Sequence, residues 1–448
     1  MTIYTRKTLA ALGAATLTAA VALSGCSSDA GSSDSSSDGS SSTAAAEATT
    51  EASADKDKDK GKEMEAGRGP ITFAMGKNDT DKLKPVIADW NKEHPDEKVT
   101  LKELAGEADA QRETLVQSLQ AKSGEYDVMA LDVVWTAEFA ANQWLEPLEG
   151  DMAVDTSKLL KPTVDSATYA GKLYAMPQNT NGQLLFRNTE LVPEAPKDFA
   201  QLAADCTNLP DGTDCLITQL KQYEGLTVNT AGFIEGAGGH IVGDDGKTPE
   251  VTSAESMKGL ETMVGAYKDG VIAKAATGAN EETTHLTFIE GKSAFAINWP
   301  YMYDMAKTND SSTVKDHFDV QPLGKDTLGF ASTLGGYNNG INPFSENKLT
   351  ARDFVEFITN EKNQKSFAEA SFPPVLASIY DDADLIKDYP FLPALKQSLE
   401  NAVPRPVSPF YPAISKAIQD NAYAALNGDK SVEDASKDME AAIGQANK

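Results

Sequence analysis

Ile71-Thr72-Phe73-Ala74-Met75 reads as a buried strand, and the pattern that follows it decides the architecture. Leu83, Val86, Ile87 and Trp90 recur at helical spacing, and Pro85 is tolerable among them only if that helix begins near Asp81. Val99 to Leu104 is the next strand, and Leu115, Val116 and Leu119 mark the next helix. Val128 to Trp135 is an apolar run broken by Asp132, and Met257, Leu260, Met263, Val264 and Tyr267 mark a further helix. This β-α-β-α order predicts an α/β fold with a mainly parallel sheet and ligands at the carboxyl ends of its strands. A chain of 448 residues exceeds what one hydrophobic core can serve, so two lobes are expected. No internal repeat stands out.

Upstream of this pattern the texture is different. Arg6 and Lys7 form a short cationic segment, Leu9 to Leu23 an apolar stretch, and Leu23-Ser24-Gly25-Cys26 a small-residue cleavage site. The arrangement resembles the bacterial lipobox, which implies a signal peptide over residues 1–25, removal of that peptide, and a lipid on the sulfur of Cys26. Residues 27–69 are rich in Ser, Ala, Asp, Gly and Thr and then alternate Asp and Lys from Asp55 to Lys60, without apolar partners. Residues 26–69 are therefore expected to be a lipidated tether. A calcium loop does not fit, because Lys60 stands where glycine is needed and Ala66 where glutamate is needed. The expected location is extracytoplasmic, on the outer face of the cell membrane. The other two cysteines, Cys206 and Cys215, flank Pro210-Asp211-Gly212, and in an exported chain a disulfide across that turn is expected over free thiols. With no histidine nearby, the pair supplies too few ligands for zinc.

The formal charge of -27 argues against nucleic acid, whose phosphates need a basic face. His94, His240, His285 and His317 are scattered, with no HExxH pair among them. No GxSxG elbow or Walker A loop occurs, and Gly236-Ala237-Gly238-Gly239 lacks the third spaced glycine of a dinucleotide site. Neither a cofactor nor a metal is expected. Hydrolysis of sugars stays open on composition alone, since paired carboxylates meet in space and not at a fixed spacing. A surface protein with no small ligand is a third reading.

Several stretches, met in order, carry a resemblance. They are Phe73-Ala-Met-Gly76 with Asn78-Asp79; Asp132-Val-Val-Trp135 with Trp144-Leu-Glu-Pro147; and Leu173-Tyr-Ala-Met-Pro177 with Asn179 and Asn181. Lys221-Gln-Tyr-Glu-Gly225, Asn298-Trp-Pro-Tyr301, Thr333-Leu-Gly-Gly336-Tyr337 and Glu400-Asn-Ala-Val-Pro-Arg-Pro406 with Tyr411 follow. Together, from about Ile71 to near Gly444, the chain resembles the trehalose/maltose-binding lipoproteins of ABC sugar importers, within the extracellular solute-binding family that includes maltose-binding protein. The resemblance implies a two-lobe periplasmic-binding-protein-like fold of type II. Its N-terminal lobe would hold residues 70–180 plus 320–363, and its C-terminal lobe residues 181–319 plus 364–448, with crossings near 177–182, Val320 and Asn363. It implies a monomer that is not an enzyme, that takes trehalose or a related α-glucoside into the cleft, and that hands it to the permease.

The resemblance also implies site residues, and each has a plainer alternative. Asp132 is placed to accept sugar hydroxyls, or to cap the next helix. Asp79 stands where the family has an acidic ligand, or it starts a helix. Asn179 and Asn181, two apart, face one side of an extended segment and offer amides to hydroxyls, or form a turn. Trp299 is placed under the apolar face of a glucose ring, or in the core. Gly335 and Gly336 admit close backbone approach, and Tyr337 stands where closer relatives have tryptophan. Arg405, between two prolines, bridges hydroxyls or holds an acidic ligand residue in place. Arg112 is the remaining candidate, with a surface salt bridge as its alternative.

Overall fold

The computed structural model describes residues 65–243, 245–324 and 328–446. The signal peptide, Cys26 and the tether as far as residue 64 lie outside the described residues. Among the described residues, eleven strands occur in chain order. β1 is Ile71–Gly76, β2 Val99–Leu104 and β3 Val128–Asp132; β4 (Thr168–Tyr169) and β5 (Lys172–Leu173) form a small hairpin. β6 is Ala175–Gly182, β7 Leu184–Asn188, β8 Asp214–Ile217, β9 Ser293–Asn298, β10 Phe318–Pro322 and β11 Leu334–Ile341.

The first lobe is built on a sheet of order β2-β1-β3-β11-β6, the second on a sheet of order β10-β7-β9-β8. β1 pairs in parallel with both β2 and β3, as the opening pattern predicts. The expectation of mainly parallel sheets is corrected beyond that point. β11 runs antiparallel to β3 and β6, and β7 antiparallel to β9 and β10, so both sheets are mixed. The reason is that the chain changes sheet in mid-course. It leaves the first sheet at Gly182 and enters the second at Leu184, with Gln183 alone between them, and it returns between Pro322 and Leu334. A strand that arrives from the other lobe enters against the direction of its new neighbours. Val320 itself lies within β10, opposite Phe186.

Local patterns explain the packing. Phe73, Ala74 and Met75 are fully buried because β1 is covered on both faces. The helix Thr80–Glu93 lays Leu83, Val86, Ile87 and Trp90 onto that sheet, and Trp90 meets Phe354 edge-on at 5.5 Å. In the second lobe the helix Glu224–Gly236 is buried over nearly its whole length, packed against the helices Ala254–Asp269 and Tyr411–Asn427. Close approach is what its glycines allow: a Cβ on Gly232 would lie 2.4 Å from Phe330, and one on Gly236 would lie 2.2 Å from the Gly329 carbonyl. Cys206 and Cys215 are joined, with Cα atoms 5.4 Å apart, tying the end of the helix Phe199–Asp205 to β8.

Candidate functional site

Between the lobes lies a cleft to which both contribute, with Asp132 and Gly335 on one side and Glu224 and Trp299 on the other. The strand ends build it. Asp132 is the last residue of β3, where an apolar strand can end on a carboxylate without burying an unpaired charge. Its oxygens accept from the Val134 N–H at 3.2 Å and from Arg405 Nη2 at 2.7 Å. Asp132 therefore caps the short helical turn Val133–Trp135 and is also gripped by the guanidinium.

Arg405 is only 4% exposed, and its other arm stays within the second lobe, where Nη1 donates to Glu224 at 2.6 Å. Glu224 takes further hydrogen bonds from the hydroxyls of Tyr411 and Ser415. Burial opposes the charge on Arg405, yet Asp132, Tyr411 and Glu224 around it hold its pKa well above the usual arginine value. Glu224 is pushed up to about 7, first by burial, with the opposing pull of Arg405 too small to cancel it. Of the two roles open to Arg405 in the sequence, the structure shows it holding two acids in place. Its Nε also lacks a partner among the described residues.

Asp79 sits on the short turn Lys77–Asp79 that leaves β1. It precedes the helix Thr80–Glu93 but makes no capping hydrogen bond, so the helix-starting alternative leaves its carboxylate unused. Its nearest cation, Lys82, is 3.8 Å away, and burial raises its pKa. The carboxylate is thus enclosed, with Lys82 as its cationic partner.

Trp299 follows β9 and is half-buried, crossing from the second sheet to the strand β11 of the first. A Cβ on Gly335 would lie 2.9 Å from the indole Cζ3 and 3.2 Å from the Asn181 Cβ. Only glycine lets the ring lie that close. Gly336 has a φ of +116°, and a Cβ there would lie 2.4 Å from the Asn179 carbonyl, so its requirement for glycine is set by the backbone. Tyr337 pairs with Asp132 across the two strands, and burial raises its phenol well above the usual range.

Asp79, Asp132, Asn181, Trp299, Gly335, Gly336, Tyr337 and Arg405 thus border one cleft. Asn179 and Arg112 do not reach it. Asn181 and Asn179 stand opposite Gly335 and Tyr337 in regular register, and the pairing shifts only beyond them, where Gln178 of β6 is the extra residue. Asn179 is instead buried in the sheet, accepting from the Tyr337 N–H at 3.2 Å and donating to the Thr180 carbonyl. Arg112 pairs with Glu138 through both Nε and Nη2.

Sequence reasoning passed over Tyr223, Glu224, Glu281 and Tyr301, which also line the cleft. Three of them lie in stretches already singled out, Lys221–Gly225 and Asn298–Tyr301, where their polar and aromatic character was the available signal. Glu281 had none. It opens the helix Glu281–Ile289, accepts from the Tyr223 hydroxyl at 2.7 Å and bonds the Trp299 side chain, while the Tyr301 hydroxyl donates to its carbonyl at 3.0 Å. Chemically, the cleft joins flat aromatic surface to carboxylates and amides, which suits a small solute with an apolar face and many hydroxyls.

The profile of the family described as bacterial extracellular solute-binding protein matches residues 86–394. A probable ABC transporter-binding protein of Deinococcus radiodurans is 30% identical over 346 residues, covering 73% of this chain and 81% of that protein. A mannitol-binding protein of Pseudomonas aeruginosa is 25% identical over 359 residues, 75% of this chain and 80% of its own. Among solved structures, maltose-bound MalE3 of T. maritima superposes with a TM-score of 0.78 at 29% identity, covering 84% of this chain and 98% of that one.

Proposed function

The chain belongs to the bacterial extracellular solute-binding proteins, and on that premise we propose that it captures trehalose, or a closely related α-glucoside disaccharide, and delivers it to the permease of an ABC importer. In this reading Cys26 carries the lipid that keeps the protein at the outer face of the membrane. The sugar is neutral and is released unchanged.

The observation that carries the reading is the indole of Trp299 lying open to the cleft above Gly335, beside the carboxylates of Asp79 and Asp132. The axial C–H face of a pyranose covers such a ring. Its hydroxyls need acceptors, because each one left unpaired on closure costs about 1–3 kcal/mol. Asp79, whose cationic neighbour Lys82 stands 3.8 Å away, and Asp132, oriented by Arg405, supply them. Closure then follows hinge bending of the lobes around the ligand.

Maltose or a longer maltodextrin is the second reading. It is favoured by the likeness to the maltose-bound T. maritima protein and by an outer recess, bordered by Asn78, Gly106 and Glu282, that adjoins the cleft. Calorimetric titration of the unlipidated chain with trehalose, maltose, maltotriose and mannitol decides between them. Trehalose is expected to bind most tightly; tighter binding of maltotriose would favour the second reading, and heat from none of the four would overturn both. Assay of the same mixtures for free glucose tests hydrolysis, and its appearance would contradict simple capture.

A further inference from the structure

Two contacts join the lobes beside the cleft without lining it. Glu107 precedes the helix Ala108–Gln120 of the first lobe, Lys221 lies between β8 and the helix Glu224–Gly236 of the second, and their side chains form an ion pair. Two residues on from Glu107, the Asp109 carboxylate faces the backbone N–H of Glu224, the first residue of the second lobe's helix, and that N–H favours its charged form. That helix has no capping side chain of its own at Tyr223, so a carboxylate from the opposite lobe serves one of its orphan donors. Gln419 of the helix Tyr411–Asn427 approaches the same carboxylate at 3.5 Å. In each contact one partner comes from each lobe, so opening of the hinge separates them.

The local charges show why Lys221 is needed. Glu107 is a repulsive neighbour of Glu281, and Glu282 borders the same outer recess. A closed cleft without the lysine brings Glu107 toward carboxylates of the second lobe with nothing to offset them.

We propose that Glu107, Asp109 and Lys221 are positioning residues of capture, a clasp that holds the lobes shut over the ligand without touching it. The clasp rests on the reading of the cleft as one that closes on a solute. Its contribution falls on the closed complex, so it slows release and leaves entry unchanged.

The test uses the unlipidated full chain, with trehalose as probe, and reads the dissociation constant by calorimetry and the rates by stopped-flow tryptophan fluorescence. Lys221→Met is expected to weaken binding about two- to fivefold, as suits a half-exposed ion pair, and entirely through a faster off-rate. Glu107→Gln should weaken it less, because it also removes the repulsion from Glu281. The double variant Glu107→Gln/Lys221→Met should therefore bind more tightly than Lys221→Met alone, a rescue that a purely local structural role would not produce. Asp109→Ala should cost about tenfold, in line with loss of a helix cap. Melting points of the sugar-free variants matching the parent would show that the fold is kept, and Asp109→Asn offers a milder form should Asp109→Ala unfold. Variants that bind and release like a sugar-binding parent, or additive losses in the double variant, would overturn the clasp while leaving the ligand reading in place. A parent that binds no sugar at all would overturn both.

Discussion

Glu224 links the site to stability in a way that pH exposes. Its carboxyl is buried against Arg405, Tyr411 and Ser415, and burial raises its pKa from 4.5 to about 7. In the unfolded chain the same group ionises near 4.5. Between those values the folded state holds the proton that the unfolded state has released, so stability falls as pH rises through this window. At about 1.4 kcal/mol per pH unit, the gap amounts to on the order of 3 kcal/mol, fully present below pH 4.5 and lost above about 7. Glu224→Gln keeps the shape and an acceptor for the hydroxyl donors but cannot ionise. Urea denaturation of parent and variant at pH 5, 6, 7 and 8 isolates the effect, because every other titrating group is common to both. The stability of the parent relative to Glu224→Gln should decline from pH 5 to about 7 and level off by pH 8. A difference that stays constant with pH would refute the account of Glu224 as a carboxyl whose ionisation burial opposes.

Other expectations follow from single contacts. Trp299→Ala should lower sugar affinity by about tenfold or more, since an aromatic partner contributes through both its area and its geometry, while the melting point of the sugar-free protein changes little. Calorimetry and thermal unfolding read the two effects separately. Gly335→Ala brings a methyl within 2.9 Å of the indole and should weaken binding by displacing Trp299; affinity equal to the parent would show that the ring is not held by that approach. Replacing Cys206 and Cys215 together by serine should lower stability by about 2–3 kcal/mol, the value for closing so short a loop, with sugar affinity preserved. Denaturant titration under non-reducing conditions checks it.

The first lobe could be read from the sequence because its signals are local. The apolar run of β1, the helical spacing from Leu83 to Trp90 and the break at Asp132 each depend on a few adjacent residues, and each lies where its pattern places it. The reversal of strand direction in the sheets was not legible, because it depends on where the chain passes to the other lobe, and Gln183 carries no mark of that passage. Asn179 illustrates the limit at finer scale. Alternation along β6 would put it beside Asn181, but the bond that holds its amide in the sheet comes from the Tyr337 N–H of β11, more than 150 residues away. Arg112 and Glu281 share that difficulty, since Glu138 decides the one and Tyr223 and Trp299 the other, all brought near only by folding. Residues inside recognisable stretches, such as Trp299 and Arg405, were visible as candidates; the grip of Arg405 on both Asp132 and Glu224 was visible only in three dimensions.

A crystal structure of the unlipidated protein grown with trehalose is the most direct measurement. One glucose ring should lie flat on the Trp299 indole with hydroxyls donated to Asp79 and Asp132, and with Arg405 still bound to Asp132 and Glu224. Sugar seated elsewhere, or an interlobe cleft left empty at saturating trehalose, would contradict the account.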